Sequence, residues 1–233
     1  MNHHRLSTSS LTMATLAALA TFPILVFVLH LIQRNSYDPV SMAVSELALG
    51  RAGWLMVVAF CAAAAGMFGF AAVLRRIVPG SVVAPGLAIL SGLCSAVSAF
   101  VHADAETAPT SVHGEVHQAM GLASFVLVVV AMFVCSVQFR RNMSWRRFAL
   151  PTLVWGLCTV GAFFLVPVLG SDRFGVAQRI FLAVWLSWPI MVVLRARRLA
   201  GRVVVEEGGV SRRESAPGSP WPAGRGPARG SSA

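Results

Sequence analysis

Six apolar stretches of about 20 residues dominate the chain, and an α-helix needs that length to cross the hydrocarbon core of a bilayer. They cover about residues 11–32, 53–74, 82–101, 116–138, 148–169 and 175–194. Only 12% of the 233 residues are charged, whereas a soluble domain carries about 25%. The sequence therefore predicts an all-α membrane protein and excludes an ordinary soluble enzyme, a disordered chain and a secreted disulfide scaffold.

The charges predict how these helices are arranged. Short connections favour a six-transmembrane-helix up-down bundle. All 19 basic residues are arginines, and those of the membrane domain cluster beside alternate connections. The opposite ends of the helices hold every acid of the membrane domain, mixed with Arg34, Arg51, Arg173 and Arg179. The positive-inside rule then places both termini in the cytoplasm. We expect a short cytoplasmic N-terminus (1–10), the membrane domain (11–198), and a disordered basic tail rich in proline, glycine and serine (199–233).

The net charge of +10 indicates the kind of partner. Because the arginines flank apolar helices, membrane lipids are the expected partner, and nucleic acid is not. The sequence leaves the oligomeric state open. The complete absence of lysine excludes any mechanism that needs a lysine Schiff base.

Polar residues near the membrane are costly and therefore informative. In the first non-cytoplasmic loop, Asp38-Pro39 and Gly50 are typical helix start and stop residues, which predicts a short amphipathic surface helix. Glu46 on that helix is either a solvated residue or a functional acid. In the third span, Ser91, Ser95, Ser98 and His102 recur at spacings of 4, 3 and 4, so they share one face that should turn towards protein.

Three histidines could hold a metal at the same membrane surface. His113 and His117 are four residues apart at the start of the fourth span, and His102 ends the third. With Asp104 or Glu46 as a fourth ligand, a second-shell partner or a catalytic base, this set fits one zinc ion. The alternative is a group of hydrogen-bonded histidines without metal.

Gln178 and Arg179 lie one turn into the last span, where an arginine is costly unless paired. Arg179 could form an ion pair with Glu46, Asp104 or Glu115. It could equally clamp a phosphate or carboxylate of a lipid headgroup. Together with Ser98 and Glu46, this pair forms the predicted ligand-binding set.

Several segments resemble a known family. YDPVSMAVSELALGRAGWLM after the first span, HAD after the third, HGEVHQAMG opening the fourth and GVAQRI opening the sixth are similar to the bacterial membrane family catalogued as domain of unknown function 998. The resemblance covers about residues 10–195. It implies a multi-helix protein of the bacterial cytoplasmic membrane and implies no particular reaction.

A second, more distant similarity is to ceramidase-like membrane hydrolases, which hold zinc with Glu, SxxxH and HxxxH motifs. Ser98 to His102 and His113 to His117 fit those patterns, and Glu46 could supply the acid. The chain departs from that superfamily in having six spans instead of seven and in placing the HxxxH directly after the SxxxH.

The sequence thus supports several functions. The first is binding of a lipid or small amphiphile in a polar pocket on the non-cytoplasmic side. The second is a zinc-dependent hydrolase in which the metal activates water. A haem-binding electron-transfer protein with two histidine ligands is a third, and a transporter has little support without a repeat or a broken-helix pair.

Overall fold

The computed structural model describes residues 2–105 and 108–214, and six long helices account for most of them. The helices are α1 (Asn2–Ile32), α2 (Trp54–Ile77), α3 (Val83–Phe100), α4 (Val112–Arg140), α5 (Arg146–Leu169) and α6 (Phe174–Glu214). All six are long and apolar enough to cross a membrane. The prediction of an all-α protein with six spans is therefore confirmed.

The helix boundaries differ from the sequence prediction at three places. Helix α1 already begins at Asn2, and α4 begins at Val112 because the Ser111 hydroxyl caps it by accepting the Gly114 N–H at 3.1 Å. Helix α6 continues beyond its predicted end at about 194, and beyond the predicted end of the membrane domain at 198, to Glu214. The remainder of the predicted disordered tail, 215–233, lies outside the described residues.

Contacts between the connections show the up-down order. At one end, Asn142 after α4 donates to the Ile77 carbonyl at the end of α2. At the other end, the backbone N–H groups of Gly175 and Val176, in the first turn of α6, donate to carbonyls of the loop after α1. We call the first the arginine-rich end. The second, which we call the acidic end, holds residues 33–53, 101–105, 108–111 and 170–173.

Small residues let the helices pack closely, as is usual for membrane bundles. A Cβ at Gly66 of α2 would come within 2.7 Å of Leu19 in α1. Between α3 and α4, the buried hydroxyls of Ser91 and Ser124 lie 2.8 Å apart. Ser95 and Ser98 are also buried, so the predicted inward face of the third span is confirmed for its serines. His102, predicted on the same face, lies beyond the helix end at Phe100 and is exposed.

The loop of residues 33–53, which we call the cap loop, folds over the acidic end of the bundle. The prediction of an amphipathic surface helix there is wrong. Asp38 accepts the Val40 N–H and the Ser41 hydroxyl in a turn, and the helical part is a single 3-10 segment, Val44–Ala48. Within this segment Val44, Glu46 and Leu47 are buried. Hydrogen bonds to α6, together with those of Gln33 directly after α1, hold the loop against the bundle.

Candidate functional site

Two side-chain amides hold the cap loop in place, one within the loop and one from α6. Gln33, the first residue after α1, donates from Nε2 to the carbonyls of Leu47 and Arg51, both at 2.9 Å. On α6, the Oε1 atom of Gln178 accepts the Val44 N–H at 2.7 Å. These bonds satisfy backbone groups of a loop that would otherwise be costly to bury.

A glycine at the start of α6 allows the cap loop to approach the helix backbone. The N–H groups of Gly175 and Val176 donate to the carbonyls of Ser41 and Val40, at 3.2 and 3.1 Å. A Cβ at Gly175 would lie 2.6 Å from the carbonyl oxygens of both Met42 and Pro39. Any side chain at position 175 would therefore push the loop away from α6.

Arg179 is held by neutral groups. Its Nη1 donates to the carbonyls of Met42 and Gly175, at 3.2 and 2.7 Å. Its Nη2 contacts His30 Nε2 at 2.8 Å and donates to the Tyr37 hydroxyl. A guanidinium has five N–H donors, so these contacts engage all four of its Nη donors. The hydrogen bonds of Arg179 within the described chain go to no carboxylate, and an ion pair with Glu46, Asp104 or Glu115 is not what holds it.

Hydrogen bonds around Arg179 fix the state of its two aromatic partners. His30 Nδ1 lies 2.6 Å from the Val26 carbonyl, which only accepts, so Nδ1 carries the proton and Nε2 accepts from Arg179. The Tyr37 hydroxyl lies within hydrogen-bond distance of the Met42 and Ala43 carbonyls, at 3.0 and 2.8 Å. Burial raises the pKa of Tyr37, an effect that the nearby Arg179 charge opposes. The Tyr37 phenol therefore holds the loop in place through hydrogen bonds and is no candidate base.

A cavity of about 490 Å³ lies beneath the cap loop. Its walls come from α1, α2, α3, α4 and α6, and its roof from residues 43–46. Most of the surrounding side chains are apolar, among them Phe60, Phe125 and Leu186. A volume of this size falls in the range of about 300–1,000 Å³ that small-molecule sites occupy.

Two buried polar atoms in the cavity wall have no hydrogen-bond partner in the structure. They are the Ser98 hydroxyl and the Trp185 indole N–H, on side chains that are only 4% and 5% exposed. Leaving a buried donor unpaired costs about 1–3 kcal/mol, so native interiors rarely contain such groups. Gln138, Thr152 and Trp188 carry similar unpartnered atoms and do not line the cavity. What distinguishes Ser98 and Trp185 is that both residues belong to the cavity wall.

The upper part of the cavity is acidic. Glu46 is 5% exposed, and its Oε1 accepts the Ala43 N–H at 2.8 Å. Asp104 also borders the cavity, but its oxygens accept the backbone N–H and hydroxyl of Ser111, at 2.6 and 2.8 Å. These hydrogen bonds hold the pKa of Asp104 below its ordinary value, so Asp104 supports the start of α4 and is a poor candidate for a base.

The structure does not bring the predicted zinc ligands together. Among the described residues, no group of three His, Cys, Asp or Glu side chains could hold a metal ion. His102 and His113 are exposed, whereas His117 is buried against Phe60 and contacts the Val101 carbonyl through Nδ1 at 2.7 Å. Of the three histidines, His117 alone lines the cavity.

The four predicted ligand-binding residues divide into two groups. Ser98, Glu46 and Gln178 line the cavity. Arg179 instead lines a second, shallower cavity of about 450 Å³ between α1 and α6, together with His30. With its Nη donors occupied, Arg179 is placed to hold the cap loop and has little capacity left for an anion.

Sequence reasoning missed Trp185 as a site residue. Tryptophans near span ends usually serve as interfacial anchors, which fits Trp54 at 66% exposure. Trp185 is instead buried in the cavity wall, seven residues beyond Gln178 on the same helix. Seven residues make nearly two helical turns. The spacing alone could therefore have shown that Trp185 lies on the same face of α6 as Gln178.

Comparison with known proteins gives a family and no function. No curated protein and no solved structure matches the chain. A family model described as a protein of unknown function (DUF998) matches residues 15–195, which include the cap loop, the cavity residues, the four middle spans and most of the first and the sixth. The chain is therefore a member of the DUF998 family.

Proposed function

We propose that this protein binds a single-chain amphiphile in the cavity beneath the cap loop. The observation that carries the proposal is that two residues lining the cavity, Ser98 and Trp185, each carry a buried polar atom without a hydrogen-bond partner. A ligand that offers them acceptor oxygens would remove the cost of leaving them unpaired.

The size of the cavity supports a small ligand. At ~30 Å³ per water-sized group, 490 Å³ corresponds to roughly 16 such groups. That suits a single-chain amphiphile, or the head and upper chain of a longer one, better than a complete two-chain lipid.

The polarity of the cavity supports an amphiphile oriented like a membrane lipid. Glu46 and Gln178 lie beside the cap loop, at the acidic end. Trp185 lies about 10 Å deeper, from seven residues at 1.5 Å each, near the apolar side chains of Phe125 and Leu186. A polar head would occupy the upper part and a chain the lower part. The arginine pattern orients the acidic end away from the cytoplasm, in the bacterial cytoplasmic membrane.

Binding has more support than hydrolysis. A zinc-dependent reaction needs clustered ligands and a free base. Among the described residues no three potential ligands form a metal-holding group, and both oxygens of Asp104 accept hydrogen bonds from Ser111. Glu46, Ser98 and Gln178 are therefore assigned as binding residues, and Arg179 as a residue that positions the cap loop.

Two glycines offer a matched test. Gly121 lines the cavity and Gly161 lies on the exposed face of α5, and a Cβ at either would meet no atom within 4 Å. Binding of radiolabelled dodecanol is measured on the protein in nanodiscs of zwitterionic lipid, against empty nanodiscs. Gly121→Leu should weaken binding at least about tenfold and Gly161→Leu less than about twofold. Equal binding by both variants would refute the site.

A further inference from the structure

The two residues with unpartnered polar atoms lie on opposite walls of the cavity. Ser98 belongs to the last turn of α3, and Trp185 belongs to α6. Helix α3 packs mainly on α2 and α4, and α6 packs mainly on α1 and α5. In the part of the chain that the structure describes, α3 and α6 do not pack against each other. Ser98 and Trp185 are therefore separated by the width of the cavity.

The two residues also differ in depth. The hydroxyl of Ser95, about one turn below Ser98 on α3, lies 3.3 Å from that of Ser124 in α4. Phe125, the next residue of α4, packs on the Trp185 indole with ring centroids 5.5 Å apart. Trp185 is therefore roughly one helical turn, about 5 Å, deeper in the bundle than Ser98.

This separation restricts the head group of the ligand. The indole N–H of Trp185 only donates, and the hydroxyl of Ser98 can also donate. A head whose oxygens all lie at one end of a chain, such as an alcohol or a carboxylate, can accept from only one of the two residues. Two acceptor oxygens on opposite sides of a rigid head can accept from both.

Aromatic side chains surround the space between the two residues. Phe22, Phe60, Phe125 and Phe174 line the cavity together with Trp185. Phe22 and Phe60 already pack on each other, with ring centroids 5.8 Å apart. Aromatic side chains pack well on the faces and edges of another ring, at centroid separations of about 4.5–7 Å. A flat ring is therefore the head that these walls fit best.

The size of the cavity leaves room for such a ring and for the start of a chain. A six-membered ring with two oxygens and three methyl groups has about 11 non-hydrogen atoms, of the roughly 16 groups that 490 Å³ accommodates. Phe22, Val44, Leu182 and Leu186 line both this cavity and the second one, between α1 and α6. The rest of a hydrocarbon chain can therefore continue past these residues into the second cavity.

From this arrangement we infer that the cavity binds a quinone with a hydrocarbon side chain. One carbonyl oxygen of the ring accepts from the Ser98 hydroxyl, and the opposite one accepts from the Trp185 indole N–H. The ring packs among the phenylalanines, and the chain runs past Leu186 towards the cavity between α1 and α6. The assignment of a quinone rests on the proposed function and adds the chemical class of the ligand.

Three probes separate the features of the head group. The first is a 1,4-benzoquinone that carries three methyl groups and a decyl chain; its full substitution prevents addition to cysteine thiols. The second is the same substituted benzene without the carbonyl oxygens, and the third is dodecane-1,2-diol, with both oxygens at one end. Binding to the full chain is measured in nanodiscs of zwitterionic lipid, with empty nanodiscs subtracted.

The quinone should bind at least about tenfold more tightly than the benzene and at least about fivefold more tightly than the diol. Equal or weaker binding of the quinone than of either other probe would overturn the inference. If the probes bind equally and Gly121→Leu weakens all of them, the inference fails and the proposed function stands. If Gly121→Leu weakens none of them, both fail.

Matched variants assign the preference to the two donors. Trp185→Phe removes the N–H and keeps an aromatic ring, and Ser98→Ala removes the hydroxyl. Each should lower quinone affinity about fivefold and leave affinity for the benzene within about twofold. Trp188→Phe and Thr152→Val are the controls, because they also remove unpartnered buried polar atoms, from residues that do not line the cavity.

The controls should change the affinity for neither probe by more than about twofold. Quinone affinity that is unchanged when Ser98→Ala and Trp185→Phe are combined would contradict the inference, and so would an equal loss in the controls. Because the ranking of the three probes uses the unmodified protein, it remains decisive if a variant fails to fold.

Discussion

Gly175→Ala should destabilise the protein, although the same change within most helices is favourable. Alanine is about 1 kcal/mol better than glycine in a helix interior. At Gly175, however, the new Cβ would lie 2.6 Å from the carbonyl oxygens of Met42 and Pro39 and 2.8 Å from Arg179 Nη1. Two of these three atoms are backbone, so they cannot move without displacing the cap loop.

The size of the effect follows from the contacts. Displacing the loop breaks the hydrogen bonds from Gly175 and Val176 to Ser41 and Val40, at about 1 kcal/mol each. Overpacking costs about 1–3 kcal/mol more. After the gain in helix propensity, the unfolding free energy should fall by about 2–4 kcal/mol.

Equilibrium unfolding in mixed detergent and SDS micelles, followed by tryptophan fluorescence, measures this loss. Gly161→Ala is the matched control, because a Cβ at Gly161 in α5 meets no atom within 4 Å. That variant should be unchanged or stabilised by up to about 1 kcal/mol. If Gly175→Ala behaves like Gly161→Ala, the cap loop does not pack on α6 as described.

Four further outcomes are expected. Without ligand, Ser98→Ala should leave the unfolding free energy unchanged or raise it by about 1 kcal/mol, whereas Ser91→Ala loses a buried hydrogen bond and should lower it by a similar amount. Because the pKa of Asp104 is lowered in the fold, its carboxylate stabilises the folded protein at any pH above the ordinary carboxyl pKa. That stabilisation is lost as the pH falls through the pKa of the folded state, so the melting temperature of Asp104→Asn should depend less on acid. Zinc measured after chelator-free purification should be well below one per chain and unaffected by His117→Ala; stoichiometric zinc would reinstate the metal site. A reporter fused after Arg141 should report a cytoplasmic position, and an external signal would reverse the topology.

Much of the fold was predictable because bilayer crossing is a property of single segments. Length and hydropathy located all six spans, and the serine spacing in the third span identified its buried face. The cap loop was not predictable in this way. Asp38-Pro39 is a helix start in isolation, but the conformation is decided by hydrogen bonds from Gln33, directly after α1, and from Gln178 and Arg179 in α6, two parts of the chain that are far apart in sequence.

The histidines show a second limit of sequence reasoning. A spacing of four residues puts His113 and His117 near one face of α4, yet one is exposed and the other buried. Their exposure differs because four residues separate them by about 6 Å along the helix axis. His117 lies at the depth where neighbouring helices pack on α4, and His113 lies above it. Trp185 was missed for a related reason. Whether its indole N–H has a hydrogen-bond partner can be judged only once the positions of all neighbouring helices are known.

The central claim is that the cavity beneath the cap loop holds a membrane amphiphile. Mass spectrometry of the protein released from its own membrane tests it most directly, with Gly121→Leu and Gly161→Leu prepared in parallel. The account predicts a single-chain amphiphile bound to the unmodified protein and to Gly161→Leu, and its loss from Gly121→Leu. The same bound species at equal occupancy in Gly121→Leu, or no bound species in any of the three proteins, would contradict the account.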